Sequence, residues 1–187
     1  MNNLKKYFES KEFAGEDLDT ILNAFYLKEF RKSDLFVEYG QSIKHLGYVE
    51  SGVFQYYILD NNEETTTYVA TENTFIASLL GFFNEVPAQE NIRALMDGRV
   101  WLITKSSLTR LINEIPKFKD FYIAILEWHI CAIDKSRNEL IMLTAEQRYN
   151  KMLRETPQLL EHVPLQYIAA ILGVTPRHLS RIRKIFP

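Results

Sequence analysis

Leu165-Gln166-Tyr167-Ile168-Ala169-Ala170-Ile171-Leu172-Gly173-Val174-Thr175-Pro176-Arg177-His178-Leu179-Ser180-Arg181-Ile182-Arg183-Lys184 is the stretch that decides how this chain is read. Ile168, Leu172, Val174, Leu179 and Ile182 fall at spacings that put an apolar wedge between two short helices. Ala169 is small, as a residue must be where a second helix crosses close above it. Gly173 supplies the positive φ that a tight turn demands. Thr175 can cap the second helix, and Pro176 suits its first turn. Arg177, His178, Ser180, Arg181 and Lys184 are left on outward positions. The pattern is that of a helix-turn-helix.

The second helix of such a motif presents its N-terminal residues to base edges in a major groove. An arginine there can hold guanine O6 and N7 in a fork, worth about 1–3 kcal/mol of discrimination. Arg177 and Arg181 are the candidates for base edges. Thr175 and Lys184 suit phosphates, which position rather than specify, and His178 and Ser180 complete the exposed set. Charge runs the same way. His162 to Pro187 contains no Asp or Glu but four cations, whereas the first 161 residues hold 18 Lys and Arg against 24 Asp and Glu. An acidic body with a basic tail is expected when only the tail meets double-stranded DNA. The competing reading is a helical hairpin that ends the fold, in a ligand-binding or interaction module that no longer binds DNA.

Upstream, residues 4–31 read as helical, with Leu4, Phe8, Leu18, Ile21, Leu22 and Phe25 at spacings suited to one face. From Asp34 to Thr104 the texture changes to short apolar or alternating runs: 35–39, 46–50, 53–59, 65–70, 91–95 and 100–104. Turn-like clusters separate them, among them Ser51-Gly52, Asp60-Asn61-Asn62 and Asp97-Gly98. Closely spaced short strands favour an antiparallel roll or sandwich, giving an α+β chain. Ser106–Glu114 reads as a short helix ended by Ile115-Pro116. A long helix then spans 117–143, with Phe118, Phe121, Ile125, Trp128 and Ala132 in a three-four rhythm that slips to Ile133, Ser136, Leu140 and Leu143. Its first two turns can pack on the roll. The rest has little chain left to pack against, so a homodimer is expected. Thr144-Ala145-Glu146-Gln147 has the form of a capping box and restarts a helix that runs to Glu155. His162-Val163-Pro164 then connects it to the final pair.

Other function classes are disfavoured. The single cysteine, Cys131, gives no disulfide framework and no multi-cysteine cluster, and a reducing cytoplasm is the expected compartment. No stretch approaches the roughly 20 apolar residues of a membrane span, and the opening MNNLKKYFES lacks the apolar core of a signal peptide. G-x-S-x-G, P-loop and H-E-x-x-H patterns do not occur, and the four histidines (45, 129, 162 and 178) fall in four regions, so no enzyme and no metal site is expected. No cofactor is expected either; a heme, if one were present, would be held by His45, His129 or another side chain.

The whole order of elements resembles the Crp/Fnr superfamily of transcription regulators. The landmarks are Gly40 before the second strand, the Val49-Glu50-Ser51-Gly52 turn, Phe75-Ile76 leading into a short helix, and the terminal segment from Val163 to Arg183. That last segment looks like a branch common in Bacteroidetes-type bacteria. The resemblance implies a cyclic-nucleotide-binding-like sensor domain (1–116), a dimerisation helix (117–143) and a DNA-binding domain (144–187). It also implies a small-molecule effector that biases the dimer between two arrangements.

Members of that superfamily that bind cyclic AMP carry Phe-x-Gly-Glu, followed about ten residues on by Arg-Ser or Arg-Thr; the Glu accepts a ribose hydroxyl and the Arg pairs with the phosphate. Here the matching stretch is Phe75-Ile76-Ala77-Ser78, with Ala88-Gln89 downstream, so both charged determinants are missing and cyclic AMP is not the expected effector. Arg93 could replace the arginine only if its strand turned it inward. The expected pocket is lined by Phe75, Ser78, Leu79, Phe82, Phe83, Gln89 and Arg93. Relatives add a two-stranded wing after the second helix, whereas this sequence ends at Phe186-Pro187, which points to a wingless reader of modest affinity.

Overall fold

The computed structural model describes residues 2–61 and 63–185. Two helices open the chain, α1 (Asn3–Ser10) and α2 (Gly15–Asn23). Eight strands follow: β1 (Tyr26–Phe30), β2 (Leu35–Val37), β3 (His45–Ser51), β4 (Phe54–Asp60), β5 (Glu63–Ala70), β6 (Phe75–Ile76), β7 (Asn91–Ala94) and β8 (Gly98–Thr104). A short helix α3 (Leu79–Asn84) interrupts them. The strands form two four-stranded sheets, in the orders β1-β8-β3-β6 and β2-β7-β4-β5, with every pairing antiparallel. This is the expected roll.

Alternation along the strands turns one apolar face of each sheet inward, and strands β3 and β8 are apolar on both faces. Val49, Val100 and Leu102 point between the sheets, where they meet Phe54, Tyr56, Ile92 and Ala94. Tyr48 and Ile103 point the other way, onto α1, α2 and the first helices after the roll. Each large side chain so buried contributes roughly 1.5–3 kcal/mol. The tight corner at Gly52 has φ +106°, and a Cβ there would meet Gly98 Cα at 2.8 Å, so the sheet closes on two glycines.

The helical reading of residues 4–31 needs correction. Its apolar positions are buried or partly buried as expected, but the helix breaks at Glu12 (φ +62°) and Gly15 (φ +56°). Tyr26–Phe30 is a strand, because each residue pairs with β8, from Tyr26 opposite Leu102 to Phe30 opposite Gly98. Long-range pairing overrides a locally helical period. The run 35–39 is a strand only to Val37. There the register shifts against β7, and the Tyr39 amide goes instead to the Asn91 side chain at 2.9 Å.

After the roll come α4 (Lys105–Glu114), α5 (Pro116–Met142), α6 (Ala145–Glu155), α7 (Pro157–His162), α8 (Leu165–Ile171) and α9 (Pro176–Ile185). Thr144 and Gln147 form both halves of the capping box at the start of α6. The helix α7, with Pro157 in its first turn, covers residues 157–161, to which the sequence reading assigned no element, and takes in His162 of the expected connector. Phe118 is buried and Phe121 half-buried against α1 and α4. Beyond them α5 leaves the body, with Trp128 65% and Ile133 60% exposed. No helix among the described residues is long and apolar enough to cross a membrane.

Candidate functional site

The final helix pair is an elbow whose turn is fixed by hydrogen bonds to the end of α8. Gly173 N–H donates to Ala170 O and Val174 N–H to Ala169 O, both at 2.9 Å, with Gly173 at φ +67°. These are the two bonds of a Schellman end, which needs a left-handed residue at the glycine position. Ile168, Ala169, Leu172, Leu179 and Ile182 are all buried between the helices, as their spacing implied. Ala169 is wholly buried. The Thr175 hydroxyl accepts the His178 amide at 3.2 Å and so starts α9.

That packing sends Arg177, Arg181 and Lys184 to solvent, four and three residues apart on one stripe about 10 Å long. Among the described residues no carboxylate pairs with any of them. The other two outward residues have partners. Ser180 Oγ donates to Pro176 O at 2.9 Å. His178 Nε2 lies 3.5 Å from the Glu146 carboxylate, which is held below the usual range first by its own backbone amide and then by Thr144 and His178. Phe186 and Pro187, on which the expectation of a wingless ending rests, lie outside the described residues.

The elbow does not hang free. Ile168, Leu172 and Tyr149 share one apolar cluster with Val53 and Val69, on the outer face of the β4–β5 sheet. Arg93 belongs to this outer face too. Its neighbour Ile92 fills the roll, so alternation turns Arg93 outward. It pairs with Glu64 at 2.6 Å, donates to Gln55 at 2.7 Å and stacks over Tyr57. Arg93 therefore does not join the other predicted pocket residues.

Of those, Phe82 and Ser78 are buried, Phe75 is half-buried, and Leu79, Phe83 and Gln89 are exposed. Sequence reasoning missed the group that occupies this cassette. Tyr56 reaches across from β4, and its hydroxyl accepts the Ala77 amide at 3.1 Å and donates back to Ala77 O at 3.4 Å. Burial pushes its ionisation well above the ordinary phenol range. Burial raises the Glu90 carboxyl above its ordinary range, with the Ser78 hydroxyl acting against the shift. The polar groups named here are thus hydroxyls and a carboxylate, where an anionic ligand would need a cation. A charge reversal two residues past Ala88 was readable in the sequence; the reach of Tyr56 was not. Phe75 stacks on Tyr7 (5.4 Å between centroids), and Tyr7 on Phe121 of α5 (6.2 Å), so aromatic rings join cassette to long helix. His45 is bonded to Tyr26 at 2.9 Å and His129 lies on α5.

Residues 27–114 match the model of the cyclic nucleotide-binding domain. Among solved structures, the chain is similar over 87% of its length to FixK2 from Bradyrhizobium japonicum, covering 84% of that chain with TM-score 0.72 and 16% identity. A CooA mutant from Carboxydothermus hydrogenoformans matches over 100% of this chain and 84% of its own, with TM-score 0.70 and 18% identity. The c-di-GMP-responsive global regulator CLP of Xanthomonas campestris matches over 91% and 90%, with TM-score 0.67 and 16% identity. The chain has the fold of these proteins. No protein of curated function matches it in sequence.

Proposed function

We propose that this chain is a homodimeric, DNA-binding transcription regulator of the Crp/Fnr type. Its roll senses a small effector other than cyclic AMP, and it works in the cytoplasm without catalysing a reaction. The observation that carries the reading is the α8–α9 elbow, which leaves Arg177, Arg181 and Lys184 on one exposed stripe with no carboxylate partner among the described residues. Arg177 and Arg181 read base edges, while Lys184 and the α9 start at Thr175 meet phosphate. His178 and Ser180 are bonded within the protein and contribute less.

The dimer forms along α5. A groove of about 720 Å³ on its exposed side is lined by Ile130, Cys131, Met142 and Leu143, with Asp134, Lys135, Asn138 and Glu139 between them. The exposed Trp128, Ile130, Ile133 and Leu140 along this 27-residue helix suit a second copy of the same helix. Against cyclic AMP stand the Tyr56 hydroxyl on the Ala77 amide and the Glu90 carboxylate. An unpaired cyclic phosphate beside them is strongly penalised. A neutral or cationic effector fits the same groups.

Gel shift on random promoter fragments tests the reading. The affinity should fall steeply with salt, since several phosphates release counterions. Joint replacement of Arg177 and Arg181 by Ala should abolish sequence preference. Binding that ignores both substitutions, or no binding in dilute buffer, would reject the proposal.

A further inference from the structure

We infer that Arg148 is the positioning residue that sets the reading elbow against the long helix and so fixes the separation of the two α9 helices in the dimer. This deepens the DNA-reading function proposed above and rests on it. Arg148 sits in the first turns of α6, and among the described residues it bonds only to backbone carbonyls of other elements. Nη1 donates to Leu143 O at 2.5 Å and Leu140 O at 3.5 Å, and Nη2 donates to Leu172 O at 2.7 Å. Leu140 and Leu143 belong to the last turn and cap of α5, and Leu172 caps α8 just before Gly173. One guanidinium therefore closes the carbonyl ends of two helices that are remote in sequence.

Those ends are where a helix leaves acceptors unsatisfied and carries its negative pole, so a cation is doubly suited. The bridge needs a rigid planar fork with donors at both edges, which arginine has and lysine lacks. Arg148 Nε is buried with no partner among the described residues, so the group keeps both ends bonded at the expense of the third donor. A second tie, from Lys151 to Glu139, fastens α6 to α5 but does not reach the elbow. Arg148 joins all three.

The consequence follows from the distance a dimer must span. Two recognition helices meet consecutive major grooves only when roughly 34 Å apart. If the joint between α5 and α8 loosens, each elbow can still bind one half-site. The gain from engaging both at once is then lost, because that gain depends on geometry.

The test uses the full chain. A duplex operator is selected from a random pool by the wild type. Wild type, Arg148→Lys and Arg148→Met are then measured on that operator, on its isolated half-site, and on operators with one base pair added or removed between half-sites. Both variants should bind the half-site within about twofold of wild type, bind the operator about tenfold more weakly, and lose the preference for the selected spacing. If half-site and operator affinities fall together with the spacing optimum intact, Arg148 only supports the local fold and the inference is overturned. The same follows if Arg148→Lys matches wild type on the operator.

A wild type that selects no sequence overturns the DNA reading instead, and hydrogen exchange then decides the joint alone. Arg148→Lys should speed exchange at the Gly173 and Val174 amides while leaving the roll unchanged. Equal protection of that turn in both proteins refutes the strut.

Discussion

The hydroxyl of Tyr56 accepts the backbone N–H of Ala77 at 3.1 Å, so a side chain of the roll already occupies the amide at the centre of the cassette. Replacing it with Phe leaves a buried N–H without a partner. Tyr56→Phe should therefore lose about 1–3 kcal/mol of stability, read as a lowered urea midpoint with unchanged slope. Cyclic AMP at millimolar concentration should not raise the melting temperature of the wild type. A rise of several degrees would show that the cassette accepts the nucleotide after all.

Glu90 gives the roll a pH dependence of definite sign. Burial raises its folded-state pKa above the ordinary carboxylate value. The folded protein thus holds the proton more tightly than the unfolded chain, and this contribution is favourable at low pH. It is lost as pH rises from the ordinary carboxylate range through the raised folded pKa. Glu90→Gln should match wild type in acid and be the more stable protein at neutral pH. Parallel stability–pH curves for the two proteins would contradict this.

Along α5, Trp128 and Ile133 are each more than half exposed. Trp128→Asp and Ile133→Asp together should convert a dimer to a monomer in sedimentation velocity while leaving the roll's melting transition in place. Burying a charge without a partner disfavours association by several kcal/mol. A wild type that sediments as a monomer at micromolar concentration would count against the seam.

Gly173 is the turn residue on which the elbow depends. A Cβ there would find only Arg148 Nη2, at 3.9 Å, so space is not the obstacle. The obstacle is the left-handed backbone, which costs an alanine roughly 1–2 kcal/mol. Gly173→Ala should lower stability by that amount and weaken DNA binding. Gly173→Asn should lose less, since Asn tolerates this conformation better, and thermal melts of the two variants give the ranking.

Much of this molecule was legible in its sequence, for reasons tied to particular residues. The wedge from Ile168 to Ile182 is local, so helical spacing alone places it. Thr144 and Gln147 bond within one turn, and their motif named the cap directly. Leu27 and Lys28 misled, because their conformation is set by strand β8 more than seventy residues away. Arg93 shows a further limit. Its rank on β7 was readable, but which face it takes depends on the Ile92 side chain filling the roll. The joint made by Arg148 had no signature at all, since its partners are backbone carbonyls that any residue could supply.

Val53 and Val69 are covered by α8 and its neighbours, not by solvent. A fragment cut after Met142 would bare a greasy patch on its sheet, and the severed tail would lose the floor it folds against. The full polypeptide is therefore the sensible unit for expression, and attempts to dissect it into halves should yield sticky, partly melted products.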